Sequence, residues 1–308
     1  MNTNIRNLII AVVVLGVAPY LLYPVFLAKL LCFALFAAAF NLLLGYAGIL
    51  SFGHAAFLST GGYITGWAMM NLGVSTEIGI LMGTLAGALL GAIYGKLAIK
   101  REGIYFAMVT LALAQLTFFV YLQSDFTGGE NGMQGIPRGN LFGLIDLTDN
   151  VAMYYTVAVI FLIGFAIIQR TVHSPFGQVL KAIRENEPRA ISLGYNVNNY
   201  KWLAFIISSA LAALAGSTKT IVFNLASLTD AHWHMSGEVI LMTLVGGVGT
   251  LMGPIVGAGV IVTMQNYLST GDLGNYIHII MGAVFVICVL AFRAGIVGQF
   301  KKLKERNF

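Results

Sequence analysis

Charged side chains divide this sequence into uncharged intervals of membrane-spanning length, and that spacing restricts the fold more than any motif in it. A bilayer core about 30 Å thick needs roughly 20 apolar residues per helix. One such interval lies between Arg6 and Lys29. The interval 30–76 is long enough for two helices, broken near 48–53. Residues 78–95, 103–124, 151–169 and 202–218 make one span each; 239–271 holds two short ones around 246–254, and 273–292 holds the last. Of 308 residues, 58% are hydrophobic and 9% charged, against about 25% charged in soluble domains. A water-soluble fold is excluded. The expected fold is an all-α polytopic membrane protein with about ten transmembrane helices, some broken at glycine-rich points.

The few charges carry a net excess of +5. They sit between apolar runs, so the excess reports membrane topology and not a nucleic-acid surface. Short loops rich in Lys and Arg stay in the cytoplasm. Three qualify: Lys96 to Arg101, the segment 170–201, and the tail 293–308 with Lys301, Lys302, Lys304 and Arg306. Segment 125–150 has Arg138 alone beside Asp125, Glu130, Asp146 and Asp149, which places it outside. With ten spans, both termini are cytoplasmic. Residues 1–28 are read as the first helix, because the apolar run after Arg6 lacks the small-residue site at which a signal peptide is cleaved.

Two glycine-rich breaks interrupt the apolar intervals: Gly45, Gly48 and Gly53 in LGYAGILSFGHAAF, and Gly246, Gly247, Gly249 and Gly253 in LVGGVGTLMGP. Non-helical backbone at membrane depth survives only where protein buries it or it lines a watery cavity. The breaks therefore mark a candidate translocation path, with Gly48, Ser51, Gly53, His54, Gly247 and Gly249 as its residues. Both contain Gly-x-x-Gly-x-Leu, too short a pattern to define an internal repeat. Gly79, Gly83, Gly87, Gly91 and Gly95 form a stripe at spacing four, which lets another helix approach closely, within the bundle or across a dimer seam.

No catalytic site or metal site is expected. His232 and His234 form an HxH without a third ligand nearby, and Cys32 and Cys288 share no short spacing. His54, His278, Glu238 and Lys219 are the few ionisable groups in or beside the apolar intervals, too few for a proton relay. Gly91 to Leu97 imitates a phosphate loop but has one residue too few between its glycines and leucine where a magnesium ligand is needed. Transport driven by ATP would require the nucleotide and its magnesium on another subunit.

Segment 170–201 has its own local code. Ser174 and Pro175 make a helix start, and Phe176, Val179, Leu180 and Ile183 recur at helical spacing, which describes an amphipathic helix on the membrane surface. A second start at Asn186 to Pro188 and a stop at Gly194 define a short charged helix able to dock on a soluble partner.

The stretches NLLLGYAGILSFGHAAFLSTGGY (41–63), REGIYFAMVTLALAQL (101–116), FTGGENGMQGIPRG (126–139), SPFGQVLKAIRENEPRAISLGYN (174–196) and MSGEVILMTLVGGVGTLMGPIVGA (235–258) closely resemble LivM-type permeases of branched-chain amino acid ABC importers. The resemblance covers 41–268 in the same order. It implies a single transmembrane permease domain over 1–308 in a bacterial or archaeal cytoplasmic membrane. The implied partners are a second, homologous permease, two cytoplasmic ATPase subunits and an extracytoplasmic solute-binding protein. It also implies that 185–194 is the coupling segment, with Arg184, Glu185, Asn186, Glu187, Arg189, Ala190 and Gly194 as ATPase-coupling residues. The sequence departs from the broader Glu-Ala-Ala-x-x-x-Gly signature, because Pro188 and Arg189 separate Glu187 from Ala190. A urea or short-amide permease of the same superfamily would share the topology. A self-sufficient ion-coupled transporter would explain the breaks but not the docking loop.

Overall fold

A computed structural model describes residues 15–143, 145–269, 279–284, 286 and 295–299. The start of the first expected span, most of the last span and of the basic tail, and His278 and Cys288 lie outside the described residues.

The described part of the chain is mostly helical, with four two-residue strands in its loops. Helix α1 (Pro24–Asn41) opens with proline at its first position, where no intrahelical N–H bond is lost, and runs into a π-turn, Leu42–Ala47. Helices α2 (His54–Asn71), α3 (Thr76–Ala98) and α4 (Gly103–Gln123) follow. Helix α5 (Asn150–His173) leads into two surface helices, α6 (Pro175–Glu185) and α7 (Glu187–Ser192). Helix α8 (Val197–Phe223) then crosses back, followed by α9 (Trp233–Gly246) and α10 (Gly253–Ser269).

Five of these are long and apolar enough to cross a membrane unaided: Pro24–Ala47, α3, α4, α5 and α8. Besides the surface helices α6 and α7, the remaining three, α2, α9 and α10, span 18, 14 and 17 residues. Helix α2 follows the first glycine-rich break, and α9 and α10 flank the second. Helix α2 carries Ser59, Thr60, Thr65 and His54, all buried, and is enclosed by α3, α8, α9 and α4. Ser59 and Thr60 donate to the Ala56 carbonyl, Thr65 to the Gly79 carbonyl, and His54 Nε2 meets Ser208, whereas His54 Nδ1 and Tyr63 OH are buried without a hydrogen-bond partner among the described residues. A helix enclosed by protein does not need the apolarity of a lipid-facing one. The protein is thus an all-α, multi-pass membrane protein with a helix rich in small and polar residues enclosed by its neighbours.

Helix α3 packs its glycine stripe inward. A Cβ at Gly87 would overlap Ala213, one at Gly91 would overlap Ser209, and one at Gly83 would overlap Thr65 and Ser217. The stripe is therefore the crossing surface with α8 and α2 within the chain. The opposite face presents Leu81, Leu85, Leu89 and Leu97, all exposed. Association in lipid depends on such close backbone approach, because burying leucine gains nothing over hydrocarbon tails.

The loops sort to two ends. At one end, residues 47–52, 99–107, 183–187 and Lys201 border a common cleft, so the basic segments around Arg101 and Arg184 share a side. At the other, strand β1 (Met133–Gln134) pairs antiparallel with β4 (Leu225–Ala226), and β2 (Asn140–Leu141) pairs with β3 (Ile145–Asp146). Arg138, the lone base in the acidic loop, fastens this end. Its Nη2 donates to the Val222 carbonyl (2.7 Å), its Nε to Asn224 Oδ1 (2.9 Å) and its Nη1 to Asn150 Oδ1 (3.0 Å). The side chain serves as a cap for α8 and does not contradict the charge pattern.

Candidate functional site

The two glycine-rich breaks, distant in sequence, meet at the basic end of the bundle. Asn41, the last residue of α1, bridges them. Its Oδ1 accepts from Gly249 N (2.9 Å), and its Nδ2 donates to the Thr250 carbonyl (2.9 Å). One buried amide side chain therefore replaces the donor and acceptor that a continuous helix would have supplied. Gly249 adopts φ +76°, and Gly48, which ends the π-turn, adopts φ +72°. Both are left-handed conformations that favour glycine.

The second half of the first break is tied down by hydroxyls. Gly53 N donates to Ser51 Oγ (3.1 Å), Phe52 N to Thr110 Oγ1 (3.1 Å) and Ala55 N to Ser236 Oγ (2.9 Å). The first N–H groups of a helix have no intrahelical partners, and Ser236 of α9 supplies one for Ala55, while Ser51 and Thr110 of α4 hold the two residues that precede α2. His54 is fully enclosed. Its Nε2 lies 2.8 Å from Ser208 Oγ, which in turn donates to the Ala39 carbonyl at 2.6 Å. Since Ser208 has one proton to give, Nε2 is the donor in the first contact. Phe40, Phe57 and Phe205 surround the ring. In this structure His54 joins α2 to α8 and α1 and faces no open channel. Ser51 and Gly247 are buried, whereas Gly48 is exposed.

Helix α6 reaches this junction directly. Ser174 Oγ accepts from Gly177 N (3.3 Å), Pro175 occupies the first turn, and Leu180 and Ile183 are buried. At the far end of the helix, Arg184 Nη1 donates to the Gly45 carbonyl inside the π-turn. A Cβ on Gly48 would lie 2.9 Å from Arg184 Cγ, and one on Gly249 would lie 3.0 Å from its Nη1. One guanidinium thus touches both breaks. Lys181 adds a contact over the Tyr46 ring, 5.7 Å from its centre.

The short helix α7 begins at Asn186, whose Oδ1 accepts from Arg189 N (3.0 Å), and ends at Gly194 with φ +88°. Ala190 is buried with Ile183 and Val197, which glues α7 to α6 and α8. Glu187 turns back toward α8 and pairs with Lys201 at 2.6 Å. Glu185 and Arg189 remain exposed, and so do the large apolar residues Ile191, Leu193 and Tyr195. The expected coupling residues therefore divide. Arg184 faces the breaks, Glu187 and Ala190 hold the segment together, and Glu185 and Arg189 face outward beside an apolar patch. Asn41, Lys201 and Thr250 were not singled out by sequence; a lone asparagine immediately before a break in an uncharged interval is the signal that could have found the first.

The family model of branched-chain amino acid transport system / permease components matches residues 23–289. The chain is 27% identical over 293 residues to the high-affinity branched-chain amino acid transport system permease protein LivM of Escherichia coli K12, covering 87% of this chain and 68% of that protein. LivM of Salmonella typhimurium is 25% identical, with 81% and 64% covered, so the chain spans about two thirds of the length of these relatives. The ribose import permease protein RbsC of Bacillus subtilis is 28% identical over 272 residues, covering 80% of this chain and 81% of that protein. No solved structure matches significantly.

Proposed function

The chain belongs to the family of branched-chain amino acid transport system permease components, and on that premise we propose that it is the membrane subunit of an ATP-driven importer of branched-chain or similar hydrophobic amino acids. The basic end then faces the cytoplasm, since short loops rich in Lys and Arg stay there. Both termini would be cytoplasmic in a bacterial or archaeal inner membrane. The partners would be a second homologous permease, two ATPase subunits that carry ATP and magnesium, and an extracytoplasmic solute-binding protein at the acidic end.

The observation that carries this reading is the contact of Arg184 with the Gly45 carbonyl. A permease driven by another subunit needs a rigid part on which that subunit can push. Here α6 and α7 form such a part, capped at both starts and packed on Ile183, Ala190 and Val197. Its outer surface shows Ile191, Leu193 and Tyr195 to water, where unpartnered apolar groups mark an interaction site. Its inner surface is bonded to the junction of the two breaks. A stroke delivered to the patch would reach the breaks through one side chain.

The test is uptake of radiolabelled leucine into proteoliposomes, with the chain alone and with its co-purified partners. Uptake that requires ATP and a partner ATPase is expected, with unlabelled valine competing and urea not. Uptake by the purified chain alone, driven by an ion gradient, would overturn the reading. Competition by urea in place of valine would move the chain to the amide branch.

A further inference from the structure

At the acidic end, α1, α8, α9 and, through Gln265, α10 enclose with the segment 225–230 a cleft of about 370 Å³. Four charged side chains border it: Lys29 from α1, Lys219 from α8, Asp230 from the turn after β4 and Glu238 from α9. Two of them are matched. Lys219 Nζ donates to Asp230 Oδ1 in an ion pair whose side chains are 16% and 11% exposed, and the same ammonium lies 5.2 Å from the centre of the Phe33 ring. Lys29 and Glu238 are half-buried, and neither has an ion-pair partner within 4 Å among the described residues. Lys29 nevertheless lies within electrostatic reach of Lys219, Glu238 and Asp230.

Ionisable groups set into a membrane bundle are costly, and a purely structural cluster would close all its charges onto one another. This one closes half of them. The remainder is one cation and one anion on opposing helices, facing a cavity whose wall also includes Phe33, Phe223 and Met235. A solute carrying an ammonium and a carboxylate on adjacent atoms would satisfy both free groups at once. Being neutral overall, it would also leave uncharged a cluster whose four side chains already sum to zero. A sugar or urea would leave both charges unmatched, and a monovalent anion or amine would leave one.

We propose that this cleft binds the zwitterionic head of an α-amino acid, its carboxylate on Lys29 and its ammonium on Glu238, with the apolar side chain against Phe33 and Met235. The buried Lys219–Asp230 pair ties α8 to the turn that leads into α9, and the same ammonium rests on Phe33 of α1. The volume suits a small ligand, at the lower end of the range of protein ligand pockets. The inference rests on the importer reading for its solute class, yet it concerns a site that reading does not require.

Thr229 is exposed and borders the same cleft, so a Thr229→Cys variant of the full chain, reconstituted with its partners, reports occupancy by its rate of reaction with maleimide. L-leucine at ~10 times its dissociation constant should slow the reaction about tenfold, because only the empty site reacts. At the same concentration, 3-methylbutylamine and 4-methyl-2-oxopentanoate, each lacking one charge, should slow it far less. Adding Glu238→Gln should remove the protection by leucine, and Lys29→Gln should do the same. Equal protection by all three compounds, or none by leucine in vesicles that still take leucine up, overturns the site and leaves the importer reading intact. Protection specific to leucine without ATP-dependent uptake overturns the importer reading and keeps the site.

Discussion

Asn41 and Gly249 lie 208 residues apart in the chain, and the amide oxygen of one accepts the backbone N–H of the other at 2.9 Å. This bond, with its companion to the Thr250 carbonyl, makes two separate helix interruptions a single structure. Arg184 adds a third segment from the surface. Three properties then become separable by mutation: the integrity of the junction, its link to α6, and the outward patch of α7.

Replacing Asn41 by leucine keeps the side-chain volume but strands the Gly249 N–H and the Thr250 carbonyl inside the junction. Each such group costs about 1–3 kcal/mol when left unsatisfied. The variant should insert normally, melt at a lower temperature in detergent and lose uptake. Asn41→Asp retains the acceptor for Gly249 and should be damaged less. Equal melting temperatures for wild type and Asn41→Leu would show that the bridge contributes nothing.

Arg184 and the α7 patch should fail differently. Arg184→Gln removes the guanidinium from the breaks without touching Ile191 or Leu193, so partner ATPase subunits should still co-purify while solute-stimulated ATP hydrolysis and uptake fall. Ile191→Asp with Leu193→Asp should abolish co-purification instead, since charge in an apolar contact is desolvated without a partner. Both variants losing the ATPase to the same extent would remove the distinction drawn between the inner and outer surfaces of this segment.

On α3, the two faces predict opposite outcomes. Gly87→Leu drives a side chain into Ala213 of α8, an overpacking that costs about 1–3 kcal/mol or more, and should yield aggregated or degraded protein. Leu89→Ala, at a position 65% exposed, should leave the size-exclusion profile of the purified chain unchanged. The reverse result would relocate the stripe to an interface outside the chain.

Sidedness is checked with single cysteines. Thr127 is a poor reporter although its loop is at the acidic end, because it is fully buried and its hydroxyl donates to the chain just before it. Glu130 and Ser192 are both exposed. Glu130→Cys should react with an impermeant maleimide in intact cells, and Ser192→Cys only after lysis. Reversed labelling would invert the cytoplasmic assignment and remove α7 from contact with any ATPase.

Much of the fold is legible in sequence because its causes are local or compositional. Bilayer thickness translates into interval length between charges, which located α3, α4, α5 and α8 within a few residues of their observed ends. Helix caps act over three or four residues, so Ser174 with Pro175, Asn186 with Pro188 and Gly194 announce α6 and α7 before any tertiary contact is known. The glycine breaks near 48–53 and 246–254 were visible as composition. Helix α2, the second span expected in 30–76, carries a histidine, a serine and two threonines through the centre of the bundle, because its solvent is protein and not lipid.

What only the tertiary structure decided is how groups far apart in the chain satisfy one another. The two breaks close on a single asparagine, and Arg184 turns inward to Gly45. Glu187 turns back to Lys201, and Lys219 finds Asp230 while Lys29 and Glu238 stay open to a cleft. None of these follows from spacing, because a hydrogen bond or ion pair requires two groups within about 3 Å at a suitable angle, and helix packing sets that geometry. Sequence by itself determined that the backbone must break at two places in the membrane; packing decided that both breaks occur at the same place.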